Sequence, residues 1–310
     1  MKNLILIPFA YLEAFRGGVN WKKQDERLDL YLKNCCVACA SARKNCGDDT
    51  DVALMTNIEL PAEYADVLKT AGVKVMRYEF DRFSFDGKYT WSLAFYKLCA
   101  LSHAVELDEY EAFAYFDSDV YVQGDFADIW KECMAKVLMY DICHGLQVED
   151  YRRFMKEATE FSGKDALGVT HYGGEFFAAN KGNAKAFVAE CQKVYDDMRQ
   201  KEFQTSCGDE FIISMAVAHS TLPIRNAGAY VYRYWTRSFH LTSTNYEYNP
   251  VAVLHVPQEK EYGMVAMYNR YVRKGVIPSR YKAWSMLHIS HADWKVNMLL
   301  WLRHLKARLH

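Results

Sequence analysis

An α/β fold built on a mainly parallel sheet is what the sequence predicts, from three observations. Short apolar runs alternate with helix-period segments through the first 120 residues. No run of 18 apolar residues breaks that alternation, so nothing is expected to span a membrane. One apolar run ends directly on a pair of aspartates, where open α/β sheets place their ligand chemistry.

The elements follow in order. Residues 3–8 (Asn-Leu-Ile-Leu-Ile-Pro) read as a buried first strand, too short for a secretory leader. Residues 25–44 carry helical periodicity, 51–57 a second strand, and 61–71 a helix with Pro61 in its first turn. Gly72 ends that helix, 73–78 is a third strand, 89–105 a helix, and 112–116 a strand running into Asp117-Ser118-Asp119. Beyond this point the alternation loosens. A helix after Gly124, a strand at 139–144, helices at 150–161, 183–199 and 209–218, and short strands at 229–234 and 251–256 are expected. No repeat or linker divides the chain, so residues 1–272 read as one domain and 273–310 as a C-terminal helical extension.

Composition excludes some functions. The 310 residues are 51% apolar with a formal net charge of −1, which supplies a core but no basic face for nucleic acid. Nine cysteines show neither disulfide-framework nor zinc-ligand spacing, and no leader is seen; a reducing, cytoplasmic setting is expected. Cys35 and Cys39 share a helix face with Leu28, Tyr31 and Leu32 and read as a buried stripe. The 22 tyrosines suit sugar or nucleobase stacking, although composition alone favours a core rich in large residues.

The chemistry-bearing feature is Phe116-Asp117-Ser118-Asp119-Val120. Two carboxylates one residue apart, between apolar stretches, are costly to bury without a cation. Hard divalent ions such as Mn²⁺ or Mg²⁺ take such oxygens beside a diphosphate and stabilise its departure. The motif alone also suits a structural turn.

In this setting the chain resembles the GT-A glycosyltransferases, whose Asp-x-Asp motif binds metal and nucleotide sugar. The ordered segments over roughly residues 50–260 are similar to the retaining α-galactosyl and α-N-acetylgalactosaminyl transferases of the histo-blood-group type. Trp91-Ser-Leu-Ala-Phe-Tyr-Lys97 resembles a helix whose basic residue lies near the donor; Lys97 otherwise reads as a solvated helix lysine. His171-Tyr172-Gly173-Gly174-Glu175-Phe176-Phe177 resembles the family's Gly-Gly-Phe-Phe segment, which implies donor contacts for Tyr172, Gly174 and Glu175, with Glu175 replacing an apolar residue. Gly208-Asp209-Glu210-Phe-Ile resembles His-Asp-Glu-Ser-His. On that match Glu210 is the nucleophile or ion-pair stabiliser and Asp209 binds the donor sugar, although both acids also suit a helix first turn.

His255 lies where glycogenin-like and lipopolysaccharide-type relatives place a third metal ligand, and Lys260 where a lysine would hold phosphate. Tyr11, after the first strand, is a candidate to stack on the base.

The resemblance thus implies a metal-dependent hexosyltransferase using a UDP-sugar and a glycan or lipid-linked oligosaccharide acceptor, retaining in outcome. An inverting enzyme would use Glu175, Asp209 or Glu210 as base with similar spacing. A sugar-1-phosphate nucleotidyltransferase ranks below it, because residues 9–19 offer only Arg16 and Gly17-Gly18 for a triphosphate loop. A non-catalytic carbohydrate module leaves the aspartates unexplained. The tail from Trp284 interleaves Trp and Leu with Lys and Arg, which fits a helix docked on the core or a peripheral membrane contact.

Overall fold

The computed structural model describes residues 2–12, 27–86, 89, 91–163, 166, 168–236, 251–289 and 302. Its centre is a seven-stranded sheet. Strand β1 (Lys2–Phe9) is buried on both faces beyond its first residue, as a continuous apolar run requires. It pairs in parallel with β2 (Thr50–Thr56) and β4 (Tyr110–Phe116), and β2 pairs in parallel with β3 (Lys74–Arg77). Past β4 come β7 (Tyr172–Asn180), running antiparallel, then β6 (Val137–Asp141) and β8 (Ile224–Asn226), giving the order β3-β2-β1-β4-β7-β6-β8. A mainly parallel α/β architecture is therefore present.

Alternation along β1 sorts the two cores. Ile5, Ile7 and Phe9 face α1 (Arg27–Asn45) and α8 (Gly263–Lys274), while Leu4 and Leu6 face α3 (Tyr96–Ala104), α6 (Lys181–Gln200) and α7 (Asp209–Ala218). Helices on both faces make a three-layer body. Cys35 and Cys39 sit fully buried on α1, and all nine cysteines are free thiols. Further helices are α2 (Ala62–Thr70), α4 (Asp128–Cys133), α5 (Glu149–Ser162) and α9 (Arg280–Met286).

A second, three-stranded sheet crosses the end of the first. Strand β5 (Val120–Val122) follows the aspartates and pairs antiparallel with β10 (Val253–His255), which pairs in parallel with β9 (Val231–Arg233).

Several expectations change. The helix expected from 89 opens as a 3₁₀ turn at Ser92–Phe95 and becomes α-helical only at Tyr96. The strand expected at 139–144 runs Val137–Asp141 and stops where Asp141 accepts from the backbone N–H groups of Cys143 and Gly145. Strands β7 and β8 were not anticipated. The expected boundary at 272 falls inside α8. In the tail, Trp284, Leu287 and Ile289 are buried and Trp284 Nε1 donates to Gln123 Oε1 at 2.6 Å; residues 290–301 and 303–310 lie outside the described residues. Among the described residues no helix is long and apolar enough to cross a membrane.

Candidate functional site

The carboxyl ends of β1 and β4 open on a cleft of about 390 Å³, a size suited to a small molecule. Four short pieces of backbone bring its side chains together. Strand β4 delivers Asp117 and Asp119 past Phe116. Because β7 is antiparallel, its beginning lies at the same end: Asp117 N–H donates to Glu175 C=O at 3.1 Å. Antiparallel pairing of β10 sets His255 opposite Val120, and Val256 N–H donates to Asp119 C=O at 3.0 Å. Register with β10 then sets Arg233 opposite His255.

At the centre, Asp117, Asp119 and His255 each present one ligand atom within 4.8 Å of the others. His255 Nε2 lies 3.2 Å from Asp119 Oδ2 and 3.9 Å from Asp117 Oδ2. Its Nδ1 lies 3.3 Å from Glu175 Oε1. Lys260 Nζ lies 3.0 Å from Asp119 Oδ2. Burial pushes the Asp119 carboxyl up, yet Lys260 and His255 outweigh it and hold the group well below the carboxylate range. Burial lowers His255, but Asp119 and Glu175 raise it to about 9. Both Asp119 oxygens are buried without a well-aligned hydrogen bond, in spite of these ion contacts. A divalent cation satisfies such oxygens, and two carboxylates with one imidazole suit Mn²⁺. The residues present therefore fit a metal.

Two ion-pair groups flank this centre. Lys97, in the first turn of α3, is 7% exposed, with Nζ 2.9 Å from Asp209 Oδ2 and 3.5 Å from Asp117 Oδ2. It is thus no solvated helix lysine. Asp117 and Asp209 hold it charged against the pull of burial, while burial, opposed by Lys97 and aided by Glu210, lifts Asp209 to about 6. On the other side, Arg233 donates to both oxygens of Glu175 at 2.8 and 2.7 Å and to Glu210 Oε1 at 2.6 Å. His171, stacked on Phe154 at 4.5 Å, reaches Glu210 Oε2 at 3.1 Å. Arg233 and His171 outweigh burial and hold Glu210 well below its ordinary value; Arg233 and His255 bring Glu175 down to about 2.

The paired glycines make room for these pairs. A Cβ on Gly174 would fall on the Asp209 carboxylate and 2.7 Å from Lys97 Nζ, and one on Gly173 would fall on the Glu175 carboxylate. Strand alternation sends the two positions to opposite faces. Gly208, which caps α7, has φ 63° and ψ −141°, a region only glycine occupies readily.

Tyr11 lines the cleft, its backbone pinned at both N–H and C=O by the Asn57 amide at 2.9 and 3.0 Å and its ring under the Arg27 guanidinium at 5.4 Å. Tyr31 stacks on Phe9 beside it, with Lys260 Nζ 6.0 Å from the ring. Of the predicted residues, Asp117, Lys97, Asp209, Glu210, His255, Lys260 and Tyr11 all line the cleft. Asp119, Gly174 and Glu175 lie one layer behind it, with Glu175 fully buried. Glu175, expected at the donor, meets Arg233 and His255. Tyr172 is not in the lining either: it starts β7 opposite Asp141, its N–H donating to Ser214 Oγ at 2.9 Å. Arg233, His171 and Tyr31 were missed; Arg233, the one charged residue in Val231-Tyr-Arg-Tyr-Trp235, is the signal that could have been read.

No family model matches the chain, and no curated protein matches it.

Proposed function

We propose that this protein is a metal-dependent glycosyltransferase of the GT-A kind, transferring a hexose or N-acetylhexosamine from a UDP-sugar. The observation that carries the proposal is the meeting of Asp117, Asp119 and His255 at the end of the central strand, with Asp119 buried and its Oδ1 without a hydrogen-bond partner.

Asp117, Asp119 and His255 would hold Mn²⁺ or Mg²⁺, which when bound neutralises charge on a departing diphosphate. The protein's own residues do the rest. Lys260 sits beside Asp119 and supplies a positive charge to phosphate oxygens. Tyr11 and Tyr31 offer aromatic faces to a base. Transfer breaks the bond from the anomeric carbon to the diphosphate and forms one to an acceptor hydroxyl. Glu210, held ionised by Arg233 and His171, is suited to stabilise the positive anomeric carbon and ill suited to accept a proton at neutral pH. This favours the retaining outcome over an inverting one with Glu210 as base.

The acceptor is a glycan or a lipid-linked oligosaccharide. A peripheral site on an anionic membrane surface is supported by charge: residues 262–310 hold nine Lys and Arg against one Asp, while the whole chain carries −1. Val272, Val276 and Tyr281 are exposed within that stretch.

Calorimetric titration of UDP-galactose, UDP-GalNAc, UDP-glucose and UDP-GlcNAc tests the proposal, with Mn²⁺ or EDTA, on wild type and Asp119→Ala. Binding of one donor that requires both metal and Asp119 is expected. Binding indifferent to both overturns the metal site, and binding of no UDP-sugar turns the reading toward other nucleotide chemistry.

A further inference from the structure

On the face of α3 turned away from the cleft, a second group of ligand-type side chains converges. Cys99 and His103, four residues apart, share one face of the helix, and Asp81 comes from the connection between β3 and α3. One ligand atom from each lies within 4.8 Å of the others. Cys99 Sγ is 3.5 Å from Asp81 Oδ1, and His103 Nε2 is 2.8 Å from that oxygen. The ring of His103 is held in plane by Tyr78, stacked at 4.8 Å and 20°.

We propose that Asp81, Cys99 and His103 form a second metal centre, for a thiophilic divalent cation of the Zn²⁺ class.

The distances are those of a site close to formed. With Zn–S of about 2.3 Å and Zn–O and Zn–N of about 2.0 Å, a tetrahedron has S···O edges of about 3.5 Å and O···N edges of about 3.3 Å. The sulfur-to-Asp81 distance already has the first value, and His103 and Asp81 need to part by about half an ångström to reach the second. A further oxygen, the Glu79 carbonyl, lies 3.4 Å from the same sulfur, close to another such edge. On binding, the Cys99 thiol gives its proton to solvent, and thiolate with carboxylate then carries the two negative charges that balance the ion.

Burial separates this cluster from an ordinary surface acidic group. Cys99 is fully buried and the His103 side chain is 15% exposed, while the Asp81 side chain, at 51%, leaves an entry path. The sulfur sets its preference apart from the oxygen-rich centre in the cleft. Its place in the fold gives it work: the connection from Tyr78 to Phe95 contributes Trp91, Leu93 and Ala94 to the cleft wall, and α3 contributes Lys97. A cation bound to Asp81 and α3 together fastens that wall to the helix.

Titration of the metal-stripped protein with Co²⁺ tests this without reference to any activity. Wild type is expected to give a saturable near-ultraviolet thiolate-to-cobalt absorption. Cys99→Ser and His103→Gln are expected to lose it or to weaken binding at least tenfold, and Asp119→Ala to keep it. Absence of the band in wild type, or its survival in Cys99→Ser, overturns the second centre. Retention in Asp119→Ala keeps this outcome independent of the glycosyltransferase proposal.

Discussion

Glu175 accepts from Nδ1 of His255 at 3.3 Å and thereby turns Nε2 toward the two aspartates. A carboxylate kept ionised by Arg233 can only accept, so Nδ1 carries a proton and Nε2 is the nitrogen that would give up its proton to a metal. Carboxylate–histidine support of this kind sets both ring orientation and basicity.

Glu175→Gln keeps the shape and removes the charge. It is expected to weaken Mn²⁺ binding by about 10–100-fold, read by calorimetry. Glu175→Ala, which also takes two of three carboxylate hydrogen bonds from the buried Arg233 guanidinium, is expected to cost about 3–5 kcal/mol of folding stability by denaturant titration.

The protonation of His255 gives the metal-free protein a signature. Its folded value of about 9 lies above the ordinary 6.5, so the folded chain binds the extra proton between them. The resulting stability is fully present below pH 6.5 and lost as pH rises through 9, on the order of 3 kcal/mol. Denaturant titrations in EDTA at pH 6.5 and 9.5 should show a decline in wild type that is absent from His255→Gln.

Gly174→Ala puts a methyl group onto the Lys97–Asp209 pair. A stability loss of about 1–3 kcal/mol is expected from overpacking, together with weaker donor binding as Lys97 is displaced. A Cm shift without change in m, alongside calorimetry with the donor, checks both.

Glu210→Gln separates binding from chemistry. Its charge is realised against a developing cation, so kcat is expected to fall about 10²–10³-fold while donor affinity changes little. A loss confined to affinity would move Glu210 out of the catalytic role.

Local pattern carried the first half of the fold. Strands β1, β2 and β4 each centre on a short apolar run, and Asp117 follows β4 directly, so neighbouring sequence alone located the aspartates. Strand β7 escaped because Gly173-Gly174 at its start and Asn180 at its end look like turns, yet both glycines are there to clear space for side chains from other elements. Arg233 and His255 sit on three-residue strands whose partners lie far away in sequence, and such pairing leaves almost no periodic trace. The resemblance supplied His255, Lys97 and Glu210 as candidates. That Lys97 meets Asp209, and Arg233 meets Glu210, is set by tertiary register.

Distance along the chain also gives the centre a timetable. Asp119 leaves the ribosome 136 residues before His255. At about 5–20 residues per second, the aspartates wait on the order of ten seconds for the imidazole that joins them. Until β10 pairs with β5, Asp119 lacks both His255 and Lys260, the two groups that keep it charged once buried. A nascent chain halted before residue 255 carries the Asp-x-Asp motif without the imidazole of the proposed metal site.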